Sequence, residues 1–156
     1  RKELQSKLNL HKNQEVFFSN INYKKWKCIN TGKIINNDEK YSITLVTAIY
    51  DSKILIKILK KQGHNIMHIK FQDHYLYKLK DIKKILKQYN RDNSIKKIIL
   101  TTEKDAVKII KFKEYFKNTN IYMIPIEIAF DRQEIFNKKI LKYVKDHTRN
   151  NEIPAE

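Results

Sequence analysis

The chain has 156 residues, a formal net charge of +16 and a single cysteine, Cys28. That length predicts one domain able to bury a core without a metal or disulfide staple. One cysteine excludes an internal disulfide, and no apolar run reaches the roughly 18 residues of a membrane-spanning helix. The charge invites an anionic partner, but lysine, isoleucine and asparagine number 29, 25 and 15, and all three have A/T-rich codons. Only four arginines are present, fewer than proteins that grip phosphates by bidentate geometry normally carry. Compositional bias therefore accounts for the charge first, an anionic surface or a phosphate-bearing ligand second, and nucleic acid last.

Residues 1–13 place Leu4 and Leu8 at helical spacing and read as the end of a helix. Residues 14–23, alternating around Val16, Phe18 and Ile21, and residues 25–35, with Trp26, Cys28 and Ile34, read as two strands. They are expected to pair as a β-hairpin linker over 14–36. The pattern then changes to strand–helix alternation over 37–156. Ile43–Ile49 reads as a strand and Ser52–Gln62 as a helix with Ile54, Leu55, Ile58 and Leu59 on one face, ended by Gly63. Asn65–Phe71 is a strand, Leu79–Tyr89 a helix burying Leu79, Ile82, Ile85, Leu86 and Tyr89, and Ile95–Leu100 a strand. A helix starts at Glu103 and runs to Ile110 or on to Phe116. Ile121–Phe130 is a strand in which Pro125 suggests an edge or a bulge, and Gln133–Val144 is a last helix before a frayed tail. This alternation predicts an α/β fold, a mostly parallel sheet with helices on both faces, preceded by the hairpin linker.

Two motifs follow apolar strands and open helices: Phe71-Gln72-Asp73-His74-Tyr75 and Thr101-Thr102-Glu103-Lys104-Asp105-Ala106-Val107-Lys108. Both would lie at the carboxyl edge of the sheet, where open α/β folds bind their ligands. His74 is the strongest chemical candidate, because imidazole exchanges protons near neutral pH, and Asp73 beside it is a possible partner or turn cap. His64 and His68 carry less weight, one following a helix-ending glycine and the other alternating within a strand. Thr102-x-x-Asp105 has capping-box spacing: Thr102 accepts from a first-turn N–H and Asp105 reaches back to the Thr102 N–H. Glu103 suits the positive end of the helix dipole. Lys104 does not, which marks it for an ion pair or an anionic ligand. Lys83, Lys84 and Lys87 read as a solvated helix face. With Gly32 and Gly63 the only glycines, neither a phosphate-binding loop nor a dinucleotide fingerprint can be written, and no zinc-type spacing occurs.

Taken together, the segments Val16-Phe17-Phe18-Ser19, Leu45-Val46-Thr47-Ala48-Ile49, Phe71 to Tyr75, Thr101 to Lys108 and Tyr122-Met123-Ile124-Pro125-Ile126 resemble the C-terminal lobe of the tetraacyldisaccharide 4'-kinase (lipid A 4'-kinase) family. The Thr101–Lys108 run is the most specific of these. The family's loop glycine and proline after the first parallel strand are replaced in Ala48-Ile49-Tyr50-Asp51-Ser52, and Gln72 stands where the family has proline. The resemblance implies transfer of the ATP γ-phosphate to the 4'-hydroxyl of an acylated glucosamine disaccharide 1-phosphate. It implies ATP and Mg2+ held mainly by an N-terminal phosphate-loop lobe, and a location at the cytoplasmic face of the bacterial inner membrane, against its anionic surface. It implies that His74 pairs with an Asp of the N-terminal lobe to activate that hydroxyl, with Asp73 beside it as a further catalytic candidate, and leaves Lys104, Thr102, Glu103 and Asp105 as residues near the substrate or supporting the site. No cofactor- or metal-binding residue is expected from this chain itself. The competing reading is a non-catalytic basic α/β module that binds nucleic acid or another polyanion.

Overall fold

A computed structural model describes Glu3, residues 6–12, 14–36 and 38–148. The helix expected over 1–13 lies partly outside them, although Glu3 and Ser6 are helical, and the expected frayed tail beyond residue 148 lies wholly outside. The described residues form two compact units. One holds residues up to Asn22 and from Glu127 onward, the other Tyr23–Ile126.

The larger unit is a six-stranded sheet. Its parallel core consists of β4 (Ser42–Thr47), β5 (Asn65–Lys70), β6 (Lys97–Thr102) and β7 (Ile121–Ile124). Two short strands, β2 (Trp26–Cys28) and β3 (Ile34–Ile35), extend it antiparallel in the order β3-β2-β7-β6-β4-β5. Near-continuous apolar runs in β4 and β6 are what strands covered on both faces require. Helix α1 (Lys53–Lys61) covers one face by burying Leu55 and Leu59 against Ile43, Leu45, Ile98, Leu100 and Ile124. Helix α2 (Leu79–Arg91), helix α3 (Glu103–Ile109) and the 3-10 segment Ile110–Phe116 cover the other. Ile82, Ile85, Tyr89, Ile109 and Phe116 pack there with Val46, Ile99 and Ile121. The mostly parallel sheet with helices on both faces is thus present.

Several expectations need correction. The strands expected within 14–36 do not pair with each other. β1 (Ser19–Tyr23) joins β8 (Ile126–Phe130) in a separate two-stranded ribbon, while β2 turns through Gly32 onto β3 and docks on β7. The turn has the hairpin geometry: Gly32, at φ 73, donates its N–H to the Cys28 carbonyl. Pro125 does more than mark an edge, because it divides the expected strand 121–130 into β7 and β8, which enter different sheets. Proline cannot donate to a ladder, so pairing stops there. The exposed face of α1 includes Ile54, 66% accessible, and Leu79 at the start of α2 is 37% accessible rather than core.

In the smaller unit, α4 (Gln133–Thr148) places Phe136 against Phe17 and Phe130, with centroids 5.4 and 3.9 Å away. Arg132 lies over the Phe17 ring and pairs with Glu15, to which Lys139 also bonds at 2.8 Å. Those two cations hold the Glu15 carboxyl below its ordinary range, Lys139 first.

His64 is a buried packing residue. Its ring sits 5.1 Å from that of Trp26, and its Nδ1 accepts the Tyr41 N–H at 3.2 Å. Burial lowers its pKa below the ordinary 6.5. His68, which bonds the Thr47 hydroxyl at 2.9 Å, is lowered by burial and by Lys70. A folded pKa below the unfolded value means the unfolded chain binds more protons around pH 6. Stability is therefore fully present above about pH 6.5 and declines as pH falls through that value. In urea titrations between pH 5 and 8, His64→Leu should flatten that decline; an unchanged pH slope would contradict it.

Candidate active site

The parallel strands deliver their chemistry to one edge. Immediately past β4 come Ala48, Ile49 and Tyr50; past β5 come Asp73 and His74; at the end of β6 come Thr102, Glu103, Lys104 and Asp105. Because β4 lies between β5 and β6, the two motifs start about 10 Å apart, twice the interstrand spacing.

Two side chains close that gap. Lys104 reaches over to Asp73, with Nζ 3.2 Å from Oδ1. This accounts for a cation in the first turn of α3, where the helix dipole disfavours it. The bond from Lys104 is also the leading cause of the lowered Asp73 pKa. One turn further on, Lys108 donates to the Tyr75 carbonyl at 3.1 Å, so α3 holds the His74 loop at two points. Tyr75 in turn donates to Asp81 Oδ2 at 3.1 Å, which also accepts the Lys78 N–H at the start of α2.

Asp105 binds the third loop. It is fully buried, and its Oδ2 accepts the Ala48 N–H at 2.9 Å and the Thr102 hydroxyl at 2.7 Å. Thr102 caps α3 as expected, accepting the Asp105 N–H at 3.2 Å. The reciprocal half of the capping box is different: Asp105 takes the Thr102 hydroxyl and the Ala48 amide instead of the Thr102 N–H. The change ties the exit of β4 to the start of α3. Asp105 Oδ1 and the Tyr77 hydroxyl are both buried and, among the described residues, have no partner at full hydrogen-bonding geometry. Burial first, and the neighbouring Asp105 second, push the Tyr77 phenol well above its ordinary value, so it stays protonated. Glu103 is exposed in the first turn of α3.

His74 occupies the left-handed region at φ 59, the only non-glycine residue among those described to do so. Its N–H donates to Asp73 Oδ1 at 2.9 Å, closing a tight turn. The turn thrusts the imidazole outward: its side chain is 81% accessible, with Nε2 3.8 Å from Asp73 Oδ2. An exposed imidazole beside a carboxylate that is already held by a lysine is a group able to exchange protons with whatever reaches this edge. The sequence marks Asp73, His74, Lys104, Thr102, Glu103 and Asp105 as site candidates, whereas Ala48, Tyr75 and Lys108 stand in its motifs without an assigned role. All three contribute through the backbone or to it, a role that residue type does not signal.

Among the described residues, no group of three His, Cys, Asp or Glu is arranged to hold a metal ion. Neither glycine opens a helix where backbone N–H groups could cradle phosphate. Among the described residues, this edge thus offers neither a glycine-built phosphate cradle nor a three-ligand metal group.

The architecture defines an α/β domain whose polar residues converge at the carboxyl ends of parallel strands, the ligand-binding edge of such sheets. Residues 1–145 match the family model described as tetraacyldisaccharide-1-P 4'-kinase, and the chain belongs to that family. It is 32% identical to the tetraacyldisaccharide 4'-kinase of Phocaeicola vulgatus, over 94% of this chain and 42% of that one. It is 31% identical to that of Flavobacterium psychrophilum, over 90% of this chain and 38% of the relative. The chain thus spans about two-fifths of the length of these relatives. The fold is similar to the crystal structure of LpxK from Aquifex aeolicus in complex with ATP, with a TM-score of 0.51 and 19% identity. That likeness covers 86% of this chain and 38% of the Aquifex chain.

Proposed function

We propose that this chain is the C-terminal part of a lipid A 4'-kinase, a phosphotransferase of lipid A (lipopolysaccharide) biosynthesis. Its reaction is transfer of the ATP γ-phosphate to the 4'-hydroxyl of a tetraacylated glucosamine disaccharide 1-phosphate. Family membership supports the reaction class, and the observation that carries the site is the pairing of Lys104 with Asp73 beside the outward-facing His74.

In this reading His74 removes the proton from the 4'-hydroxyl as its oxygen bonds to the γ-phosphorus and the bond to the β,γ-bridging oxygen breaks. Asp73 stabilises the imidazolium that forms, and Lys104 fixes Asp73 in place. Thr102 and Asp105 hold the β4 and β6 exits together beneath them. ATP supplies the phosphoryl group, and its binding, with Mg2+, is assigned to a phosphate-loop lobe in the portion of the family's length that this chain does not span. No helix among the described residues is long and apolar enough to cross a membrane. The net charge of +16 supports attachment to the anionic cytoplasmic face of the inner membrane, at about 1 kcal/mol for each well-placed lysine. The polyanion-binding module has no comparable support.

The test is phosphorylation of the tetraacyldisaccharide 1-phosphate by the full-length protein. Asp73→Asn removes the charge that supports the imidazolium and should lower kcat at least about tenfold, with little change in the KM for ATP. Unchanged kcat would overturn the assignment of Asp73.

A further inference from the structure

The outward face of α2 carries charge of one sign only. At about 100° of turn per residue, Lys80, Lys83, Lys84, Lys87 and Arg91 fall within roughly 100° of arc, opposite the buried Ile82, Ile85 and Tyr89. All of these cations are exposed, and among the described residues none has a carboxylate partner. The helix contains one carboxylate, Asp81, and it is turned inward to the Tyr75 hydroxyl and the Lys78 N–H. Asp92, just past the last turn, accepts the Ser94 N–H. By contrast, Lys96, Lys104, Lys117 and Lys139 each pair with a carboxylate within 3.2 Å. Like charges three or four positions apart, as in Lys80–Lys84, Lys83–Lys87 and Lys87–Arg91, disfavour a helix. Packing of the buried face holds α2 against that repulsion, and an anion from outside would relieve it.

Part of this charge surrounds a groove. Lys84, Lys87, Gln88 and Arg91 line one side and Met67 and Ile69 the other, around about 280 Å3. β5 is the last strand of the sheet, so the groove opens at a free edge. It is smaller than the roughly 300–1,000 Å3 clefts that enclose drug-sized ligands, and suits one phosphoryl group with a short apolar continuation. The cations and the Gln88 amide supply donors for phosphoryl oxygens, and Met67, 52% accessible, supplies an apolar contact. This lining follows the last two turns of α2, whereas the His74 loop leads into the first, so its occupant is not the reacting group. No aromatic ring lies on the outward arc to stack on a base, and only Arg91 offers a bidentate fork, so nucleic acid is the poorer match. A row of lysine point charges about 16 Å long is matched by a flat anionic surface. Helix α1 also presents Lys53, Lys57, Lys60 and Lys61, but it covers the opposite face of the sheet, so one flat surface cannot take both helices. We propose that the outward face of α2 docks on a bilayer of anionic phospholipid, with one phosphodiester headgroup among Lys84, Lys87 and Arg91 and its first methylenes against Met67. The proposal rests on the membrane attachment read from the net charge and names the surface that makes it.

Acetylation of lysines by acetic anhydride in the full-length protein, followed by peptide mapping, reads which helix meets the membrane. Vesicles of phosphatidylcholine containing about one-third phosphatidylglycerol should slow the reaction at Lys83, Lys84 and Lys87 at least about fivefold and leave Lys57 and Lys61 unchanged. Pure phosphatidylcholine vesicles should protect neither helix, and high salt should remove the protection. In sedimentation with the same vesicles, Lys84→Gln with Lys87→Gln should lower the phosphatidylglycerol-dependent gain in partition at least about tenfold. Lys57→Gln with Lys61→Gln makes the same change in net charge and should lower that gain less than about threefold. Equal protection of the two helices, equal losses in the two double variants, or unprotected α2 lysines on vesicle-bound protein would overturn the proposal. So would protection of α2 by glycerol phosphate alone, or stronger protection by duplex DNA at the same phosphate concentration. Neither readout depends on catalysis. Protection of α2 in a protein that phosphorylates nothing would remove the kinase reading and leave this surface standing, whereas an active kinase with α2 unprotected would overturn only the docking surface.

Discussion

Asp105→Ala is expected to destabilise the protein by about 2–4 kcal/mol, the sum for two donors losing their acceptor, of which the buried Ala48 N–H carries the larger part. For a domain of this size that is a fall in Tm of roughly 10 °C. The reason is geometric. The Ala48 amide leaves the end of β4, where no further strand residue can accept it, and Asp105 is its partner across 57 residues of sequence. The Thr102 hydroxyl is partly accessible and can turn to water, which limits its share. Asp105→Asn keeps one acceptor oxygen and should lose roughly half as much. Thr102→Val removes the cap and should cost about 1 kcal/mol. Because both residues bond each other, the double variant should lose measurably less than the sum, with a coupling above about 0.5 kcal/mol. Urea titration of the four proteins decides the point. An Asp105→Ala variant within 1 kcal/mol of wild type would mean that the β4 exit is held by something other than this carboxyl group.

The same residue shows how far the sequence could be read. The spacing from Thr102 to Asp105 announced a helix start, and one is there. A capping box, however, is a local pattern and predicts a local bond. Asp105 is drawn instead to an amide on a different strand, because β4 and β6 are neighbours in the sheet, and strand order is not written in periodicity. The strand–helix alternation from Ser42 to Phe116 was legible because each element carries its own period of apolar residues. Pairing partners were not: residues 14–23 and 126–130 are more than a hundred positions apart, and adjacency in sequence favoured the wrong hairpin. Pro125 was visible as an interruption, but whether a strand bends or divides depends on which sheets compete for its halves. Residues 71–75 and 101–108 could be placed at one edge by the general rule for α/β sheets. That Lys104 spans β4 to Asp73 required the strand order as well.

Under the proposed reaction, His74→Asn in the full-length protein is expected to lower kcat by about 10²–10⁴-fold, the usual contribution of a positioned general base. The choice of asparagine matters, because His74 sits at φ 59 and a β-carbon there is strained in most residues. Asparagine tolerates that region several-fold better than most residues, and its amide cannot take up a proton at neutral pH. The turn closed by the His74 N–H and Asp73 Oδ1 should survive, so thermal stability and the KM for ATP should stay close to wild type. His74→Gly relaxes the backbone further and leaves an open position where the 81% accessible ring had been. Added imidazole should therefore restore part of the lost kcat in His74→Gly, because a free base can occupy that space. It should restore much less in His74→Asn, where the amide still fills the position. A purely structural His74 would give the opposite pattern: asparagine active, glycine active without imidazole, and neither responsive to it. More than a tenth of wild-type kcat in His74→Asn would remove the residue from the chemistry and leave Asp73 and Lys104 as an ion pair that shapes the loop.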